Sequence, residues 1–315
     1  MSPVARFQRR RAEAVDGLLL LNKPPGMTSN RALQTVRRLL NAKKAGHTGS
    51  LDPAATGMLP LCFGEATKVC AYLLDADKSY RVMARLGVAT DTGDADGQEV
   101  ETAPVPDMSA AEWDVILQGF VGESTQVPPM YSALKKDGKR LYELARQGET
   151  VAREPRPIRI DEIRLLELAG SRLVFRVRCA KGTYVRTLVE DIAKRAGTVA
   201  HTARLHRETV GAFRAEDMVD LATAEELAAE GPHALRERLL APDTALADMP
   251  TVAVDATDGE RFSGGQVVDV AAGNSKGLAR VYGAGRFLGV GELAGNGQLA
   301  PRRVFQTPRK NPVDI

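Results

Sequence analysis

The pattern of apolar residues and glycines changes near Met249-Pro250, which limits the chain to two unlike folding units. Before that point, segments with helical spacing and segments with strand spacing are mixed. After it, strand-like segments are short, ten glycines fall within residues 264–297, and Asn296-Gly297 predicts a hairpin turn. A chain of 315 residues has room for both units, since one domain takes about 100–200 residues. The predicted units are a basic extension (1–16), a first domain (17–248) and a small all-β domain (249–310).

Within the first domain, strands and helices do not alternate regularly. Residues 17–21 form an apolar run typical of a buried strand, and residues 80–88 and 173–179 alternate between apolar and other side chains. An amphipathic helix begins near Ser29 or Asn30, either of which can cap it. Because no regular strand–helix–strand rhythm appears, the sequence favours an α+β fold over a doubly wound sheet.

A second helix begins at a capping box. Ser109 and Glu112 have the spacing at which each side chain bonds the other residue's backbone. Trp113, Ile116 and Leu117 follow at helical spacing. We therefore predict that Trp113 belongs to the core rather than to a binding site.

Several classes of protein are excluded by what the sequence lacks. The longest aliphatic run is Leu18 to Leu21, far shorter than the roughly 18 residues of a membrane span. Residues 1–16 contain four arginines but no apolar stretch typical of a signal peptide, so we expect a cytoplasmic protein. No structural metal is expected, because the cysteines and histidines lack zinc-site spacing: Cys62, Cys70, Cys179, His47, His201, His206 and His233.

Glycine-rich segments do not indicate a nucleotide or calcium site. Residues 46–57 lack the Gly-Lys-Ser/Thr end of a phosphate-binding loop, and no Gly-x-Gly-x-x-Gly motif follows a strand. Residues 91–97 resemble a calcium loop only in part and are better explained as an acidic turn. An enzyme with this sequence is expected to work with side chains alone, without a cofactor.

Charge is unevenly distributed along the chain. Residues 86–123 carry nine acidic residues and no Lys or Arg, and residues 214–260 carry twelve acidic residues against three arginines. Basic residues concentrate in the N-terminal extension, in 135–159 and in the tail. A segregated positive surface favours a polyanionic partner, with nucleic acid first, although a mixed solvated surface would give the same totals.

One carboxylate lies in a segment that contains several glycines and a proline. Asp52 lies within Gly46-His47-Thr48-Gly49-Ser50-Leu51-Asp52-Pro53, which ends at Thr56-Gly57. Glycine and proline at this density fix a loop in one shape and allow close approach of another chain. Taken alone, an Asp before Pro is also a common turn residue.

The whole segment GHTGSLDPAATGMLPLCFGEATK resembles the catalytic motif of the bacterial tRNA pseudouridine-55 synthases, the TruB family. The resemblance continues in GLLLLNKPPGMTSN, KSYRVMARLGVATDTGDADG, PPMYSALKKDGKRLYELARQG and CAKGTYVRTLVEDIA, and reaches GLARVYGAGRFLGVGEL and APRRVF. One departure is His206, where the family commonly has Arg directly after the matching Leu. The resemblance implies the pseudouridine-synthase fold, a mainly antiparallel mixed sheet with flanking helices, joined to a PUA-like barrel.

This resemblance also implies an activity and its residues. The family isomerises a uridine of the tRNA T loop without a cofactor, by breaking the glycosidic bond, turning the base and forming a carbon–carbon bond. By motif match Asp52 is the catalytic aspartate, Arg186 orients it and keeps it ionised, and Tyr80 stacks on the target base. The matching substrate-binding residues are His47, Tyr184, Leu205 and Lys23.

The resemblance further implies how RNA is held. An insertion at about residues 125–153 closes over the RNA and brings the backbone-binding cations Lys135, Lys136, Lys139 and Arg140. The PUA-like domain is expected to reach the acceptor stem of the tRNA. Because the extra terminal extensions of guide-dependent relatives are missing here, neither a guide RNA nor an obligate protein partner is expected.

Overall fold

A computed structural model describes residues 11–231, 233–271 and 274–306. Its helices are α1 (Ser29–Leu39), α2 (Cys70–Asp75), α3 (Ala110–Gln118), α4 (Leu141–Arg146), α5 (Val185–Arg195), α6 (Leu221–Glu230) and α7 (Ala256–Ser263). Its strands are β1 (Gly17–Lys23), β2 (Ala45–His47), β3 (Thr56–Phe63), β4 (Lys78–Leu86), β5 (Val88–Thr90), β6 (Glu99–Thr102), β7 (Gly122–Gln126), β8 (Lys135–Lys136), β9 (Lys139–Arg140), β10 (Arg156–Ala169), β11 (Arg172–Cys179), β12 (Ala200–Val210), β13 (Val219–Asp220), β14 (Thr251–Val254), β15 (Val268–Asp269), β16 (Lys276–Gly283), β17 (Arg286–Ala294) and β18 (Gln298–Val304). Short 3-10 helices cover Gly64–Val69, Ala215–Asp217, Arg236–Arg238 and Pro242–Leu246.

The first domain is built on one mixed, mainly antiparallel sheet. Its strand order is β13-β1-β3-β12-β4-β11-β10-β7, with β2 paired to β3 beside this path. The β1–β13 and β3–β12 pairs are parallel, and the other pairs are antiparallel. This arrangement confirms the α+β fold expected from the sequence. It also places β3, β12 and β4 side by side, so residues far apart in sequence meet at the middle of the sheet.

The first helix is capped one residue earlier than predicted. The Thr28 hydroxyl accepts from the backbone N–H of Arg31 at 3.1 Å, so neither Ser29 nor Asn30 is the cap. Ser29 is inside the helix, where its side chain both donates to Leu51 O and accepts from Leu51 N. The sequence pattern was wrong here because a long-range contact uses the serine that a local rule would place at the cap.

The predicted second helix is confirmed as α3. Ser109 and Glu112 form both bonds of the capping box, and Trp113 is 1% exposed in the main core. The apolar faces of α1, α3 and α5 pack on this core together with one face of the sheet. Burial of these faces is what fixes the sheet register, since a shift by one residue would turn its apolar side chains outward.

The C-terminal part is a curled five-stranded sheet with the order β14-β16-β17-β18-β15, together with α7. The predicted turn at Asn296-Gly297 joins β17 to β18. Phe262 of α7 is fully buried against this sheet. The sheet is not isolated from the first domain, because Val290 and Phe305 pack in a cluster with Leu18 and other side chains from the second face of the large sheet.

No helix among residues 11–231, 233–271 and 274–306 has the length and apolar character to cross a membrane.

Candidate active site

Asp52 lies in a loop, residues 48–55, that connects β2 to β3 and is here called the Asp52 loop. Both neighbours of Asp52 are fixed by bonds from distant parts of the chain. Leu51 is held through its backbone N–H and carbonyl by the Ser29 hydroxyl, at 2.8 and 3.0 Å. The carbonyl of Pro53 accepts from Gly26 N at 2.9 Å and from Lys23 Nζ at 3.1 Å. The position of the Asp52 side chain is therefore set by the backbone on either side of it.

Lys23 lies beneath this loop and is fully buried. Its ammonium group donates to three backbone carbonyls, those of Pro24, Met27 and Pro53, at 2.8–3.1 Å. Burial lowers the pKa of Lys23 to about 8, and the charge of Arg207 adds to the decrease while that of Asp52 opposes it. In this position Lys23 supports the loop, and no face of it is exposed for a substrate to contact.

Arg186 meets Asp52 from the first turn of α5. Its Nε atom lies 3.0 Å from Asp52 Oδ2. Its Nη1 atom donates to the carbonyl of Thr92 and its Nη2 atom donates to the carbonyl of Tyr131, both at 2.7 Å. The Arg186 side chain is 7% exposed, whereas that of Asp52 is 43% exposed. A planar guanidinium bonded on three sides has one orientation. Asp52 is therefore held by a fixed partner while its carboxylate still faces a cleft.

The pKa of Asp52 is raised above its ordinary value. Burial is the main cause, the charge and hydrogen bond of Arg186 oppose it, and the charge of Asp94 adds to the increase. Arg186 thus limits a rise that desolvation would otherwise make larger. The ionised carboxylate that the expected chemistry requires depends on this opposition.

Asp94 is a second carboxylate at the site and was not among the predicted site residues. Its Oδ2 atom lies 3.6 Å from Nη1 of Arg186, while its Oδ1 atom accepts from the Thr92 hydroxyl at 2.6 Å and from Asp96 N at 3.1 Å. The segment predicted as an acidic turn is therefore a turn that also contacts Arg186. The sequence signal that could have identified Asp94 as a site residue is its position within the matching motif of residues 78–97.

A small cleft brings together three of the predicted site residues, Asp52, Arg186 and Leu205. It is lined by Asp52, Ala54, Ala55, Asp94, Arg186, Thr202, Ala203, Arg204 and Leu205. Leu205 is half-buried on β12 and packs partly on the main core. Tyr80 lies on the adjacent β4, opposite Arg207 of β12, and is 8% exposed. Burial raises the pKa of Tyr80, and the Asp52 charge acts in the same direction.

Tyr184 precedes α5 and is half-buried. Its backbone N–H donates to Gln126 Oε1 at 2.8 Å, and its carbonyl accepts from Gln126 Nε2 at 3.1 Å. Gln126 ends β7 and is 4% exposed. Gln126 was not among the predicted site residues, because nothing local in the sequence shows that a glutamine at the start of the insertion fixes the residue before α5.

Two histidines flank the Asp52 loop. His47 is the last residue of β2, and its Nδ1 atom is buried with no hydrogen-bond partner among the described residues. Burial lowers the pKa of His47, and the charge of Arg207 lowers it further. His206 Nδ1 lies 2.8 Å from Thr56 Oγ1, at the end of the loop. The residue that departs from the family pattern therefore contacts the residue that follows the Asp52 loop.

The cations predicted to bind the RNA backbone are not among the residues that line the cleft. They lie on a two-stranded hairpin, residues 135–140, here called the basic hairpin. Lys135, Lys136, Lys139 and Arg140 are all exposed. Asp137 and Gly138 both have positive φ, as a tight turn between adjacent strands requires. The same insertion reaches the cleft through Tyr131, whose carbonyl accepts from Arg186.

The described residues contain no group of three or more His, Cys, Asp or Glu side chains that could hold a metal ion. Part of the predicted basic surface cannot be placed, because residues 1–10 of the N-terminal extension and residues 307–315 of the tail lie outside the described residues.

Three family models match this chain in succession. Residues 37–185 match the N-terminal domain of the TruB family pseudouridylate synthases. Residues 186–247 match the C-terminal domain of tRNA pseudouridylate synthase B, and residues 250–305 match the C-terminal region of pseudouridine synthase II TruB.

Relatives and solved structures agree with these models. The chain is 52% identical over 298 residues to the tRNA pseudouridine synthase B of Dechloromonas aromatica, covering 95% of this chain and 98% of the relative. It is 49% identical over 309 residues to that of Ectopseudomonas mendocina, covering 98% and 99%. Its fold is similar to a chain in a crystal structure of a Cbf5–Nop10–Gar1 complex, with a TM-score of 0.72 and 24% identity over 93% of this chain and 86% of that one. The resemblance seen in the sequence is confirmed: the chain belongs to the TruB family of pseudouridine synthases, isomerases that convert uridine in tRNA to pseudouridine.

Proposed function

We propose that this chain converts the uridine at position 55 of the tRNA T loop to pseudouridine, with Asp52 as the catalytic residue. One observation carries the assignment of the site. A half-exposed carboxylate faces a cleft while its Oδ2 atom is held 3.0 Å from the buried guanidinium of Arg186. A fixed and ionised carboxylate of this kind is what attack on, or proton removal from, a bound ribose requires.

The reaction moves one bond from nitrogen to carbon without changing the composition of the nucleotide. The C1′–N1 bond breaks, with its electrons leaving on the uracil, and the base then turns so that C5 bonds C1′. The proton on C5 is lost and N1 gains one. Ionised Asp52 serves this sequence by bonding C1′ directly or by taking a ribose proton to give a glycal-type intermediate. Both routes need the carboxylate beside the sugar, and Arg186 keeps it there.

The other predicted site residues are proposed to hold the base. Tyr80 offers an aromatic ring on β4, and Leu205 offers an apolar side chain on the cleft wall. Tyr184, fixed through Gln126, stands before α5 and completes the pocket. A uridine in the folded T loop is stacked, so it must be turned out at a cost of about a few kcal/mol. His47 is proposed to occupy the space that the base leaves.

Lys23 receives a revised role in this proposal. Its three donated bonds all go to backbone carbonyls, so we assign it to support of the Asp52 loop rather than to substrate contact.

RNA binding is proposed to be shared between two surfaces. The basic hairpin carries four exposed cations and belongs to the insertion of about residues 125–153, which contacts the T stem-loop. The PUA-like domain, proposed as residues 249–310, reaches the acceptor stem; its residues 272, 273 and 307–310 are outside the described structure. The catalytic domain is proposed as residues 17–248, after the basic extension 1–16. We further propose that the chain acts on tRNA in the cytoplasm without a guide RNA or an obligate protein partner.

The experiment that tests this proposal maps pseudouridine in an unmodified tRNA transcript before and after incubation with the purified chain. We expect one new pseudouridine, at position 55, formed without added metal or cofactor. A transcript with cytidine at that position is the matched control and should gain none. Modification only at another uridine would refute the assigned position, and no modification by the folded protein would refute the function.

A further inference from the structure

A second buried arginine, Arg207, bonds the segment that contains Asp52. It lies on β12 and is 1% exposed. Its Nε atom donates to the carbonyl of Met58 at 2.6 Å, and its Nη2 atom donates to the carbonyl of Gly49 at 3.0 Å. Gly49 is near the start of the Asp52 loop and Met58 is just beyond its end. One guanidinium therefore joins the two ends of the loop.

The backbone of Arg207 approaches the same segment. In the parallel pairing of β12 with β3, Arg207 lies opposite Gly57. Gly57 has φ of +98°, and a Cβ atom on it would lie only 2.3 Å from the carbonyl oxygen of Arg207. The chain can pass this closely only because residue 57 is glycine. Arg207 is thus fixed against the loop through its main chain and its side chain.

The guanidinium of Arg207 has no carboxylate partner in the part of the chain that the structure describes. Among the ion pairs of residues 11–231, 233–271 and 274–306, none includes Arg207. Its charge instead acts on the site, where it lowers the pKa of Lys23 and His47. A buried cation without a counterion is a poor choice for stability, since an apolar side chain of similar size avoids the cost of desolvation. Stability alone does not explain an arginine at this position.

Arg207 also lies beside the aromatic residue of the site. It is opposite Tyr80 in the antiparallel pairing of β12 with β4, and its charge lowers the pKa of the Tyr80 phenol against the effect of burial. The donors of a guanidinium point in fixed directions within one plane. Arg207 therefore links the Asp52 loop to β12, the strand that pairs with the one carrying Tyr80.

We propose that Arg207 is a positioning residue for the isomerisation, which bonds both ends of the Asp52 loop from β12 and so fixes the loop relative to the neighbouring strand that carries Tyr80. This inference rests on the proposed function. It assigns Arg207 an effect on the chemical step and none on contact with the RNA. Arg207→Lys should keep the charge but lose the planar fork, and Arg207→Met should lose both.

The test compares these two variants with Arg37→Met. Arg37 is half-buried, and its Nε and Nη2 atoms also donate to two backbone carbonyls, those of Ala42 and Lys43, at 3.0 and 2.9 Å. It therefore controls for the loss of a guanidinium that joins a different loop. For each protein, single-turnover rates at saturating enzyme, KM for a T stem-loop, the melting temperature and the pH profile of the rate are measured.

We expect Arg207→Lys to lower the maximal rate about tenfold or more and Arg207→Met about a hundredfold, as misplaced catalytic groups do, with KM within about threefold of the unchanged chain. Arg37→Met should keep its rate. The acid limb of the Arg207→Lys profile, where the rate falls as the pH decreases, should move to higher pH. The reason is that Asp52, once displaced from Arg186, loses the positive charge that lowers its pKa.

Each outcome supports or overturns the role of Arg207. If Arg207→Lys is less heat-stable but keeps both its maximal rate and its acid limb below its melting temperature, Arg207 is only structural and the proposal fails. If Arg207→Met does not fold, the rate and pH profile of Arg207→Lys are sufficient to decide. If the unchanged chain forms no pseudouridine in the same assay, the proposed function fails first, and the two failures are thereby distinguished.

Discussion

The Asp52 loop and the basic hairpin are both polar segments, yet they are built in opposite ways. The loop is bonded by Ser29, Lys23 and Arg207 from three other elements. The hairpin leaves its cations exposed and has few bonds outside itself, among them one from Lys136 to the carbonyl of Ala152 at 2.9 Å. Bond-making at a sugar carbon needs one carboxylate in one place, whereas attraction to phosphates needs positive charge within reach. Bonds from other elements therefore hold the segment whose carboxylate must be positioned, and the segment that supplies positive charge has fewer of them.

The largest expected effect comes from the reacting group itself. Asp52→Asn keeps the size of the side chain and removes the nucleophile or base, so turnover should fall by about four orders of magnitude. The affinity for tRNA should change little, because the cations of the hairpin are untouched. Single-turnover kinetics and filter binding measure the two quantities. Turnover near that of the unchanged chain would remove Asp52 from the mechanism.

The same conservative substitution should have different consequences in the two regions. Arg186→Lys replaces a guanidinium bonded to Asp52 and to two carbonyls, and we expect a loss of about 10²–10³ in the maximal rate. Arg140→Lys keeps an exposed positive charge and should change the rate by less than about twofold. Rates measured on one T stem-loop compare the pair directly. Equal losses would mean that the hairpin also acts by geometry.

Charge reversal in the hairpin should act on binding instead of chemistry. Replacing Lys136 and Arg140 together by glutamate should raise KM about tenfold and leave the maximal rate nearly unchanged, because both side chains are exposed and neither bonds Asp52. The steepness of the loss of affinity with salt should also decrease, by about one to two in the logarithmic slope. Affinity titrations at several salt concentrations provide this number. An unchanged slope would show that these cations do not contact phosphates.

The dependence of the rate on acid pH tests the direction of the pKa shift of Asp52. The raised pKa of Asp52 means that the carboxylate is protonated at a higher pH than an ordinary aspartate, so on acidification the rate should begin to fall above the ordinary aspartate pKa of about 3.9. Asp94→Asn removes a charge that raises this pKa and should move the acid limb to lower pH, whatever its effect on the plateau. Rate profiles at fixed ionic strength test both expectations. A rate that falls only at or below the ordinary aspartate pKa of about 3.9 would contradict the direction of the shift.

Local patterns in the sequence were sufficient for most elements. The apolar run at residues 17–21, the capping box at Ser109 and the alternation in β4 each predict a neighbour relation within a few residues, and the structure confirms them. The cap of α1 was misplaced by one residue because Ser29 bonds Leu51, and such a contact leaves no local trace.

The site divides in the same manner. Asp52 and Arg186 lie in long motifs that match the family, and the structure places Arg186 Nε 3.0 Å from Asp52 Oδ2. Asp94, Gln126 and Arg207 were not singled out, since each acts on a residue 58 or more positions away in sequence: Arg186, Tyr184 and Gly49. Their function depends on which strands become neighbours, and one sequence does not show that.

The smallest effect on catalysis is expected where the C-terminal sheet meets the first domain. Phe305 is 6% exposed, its ring lies 4.9 Å from that of Phe287, and Lys68 donates to the neighbouring carbonyl of Val304 at 2.7 Å. Phe305→Ala should therefore lower the free energy of unfolding by about 3 kcal/mol through the cavity that it leaves. The maximal rate on a T stem-loop should stay the same below the melting temperature, because no residue of the cleft belongs to this contact. Denaturant unfolding and single-turnover kinetics on the same preparation measure both, with Val115→Ala, an exposed change at 73% exposure, as the control. A rate that falls while the protein remains folded would mean that the docking of the C-terminal sheet on the first domain helps to assemble the site.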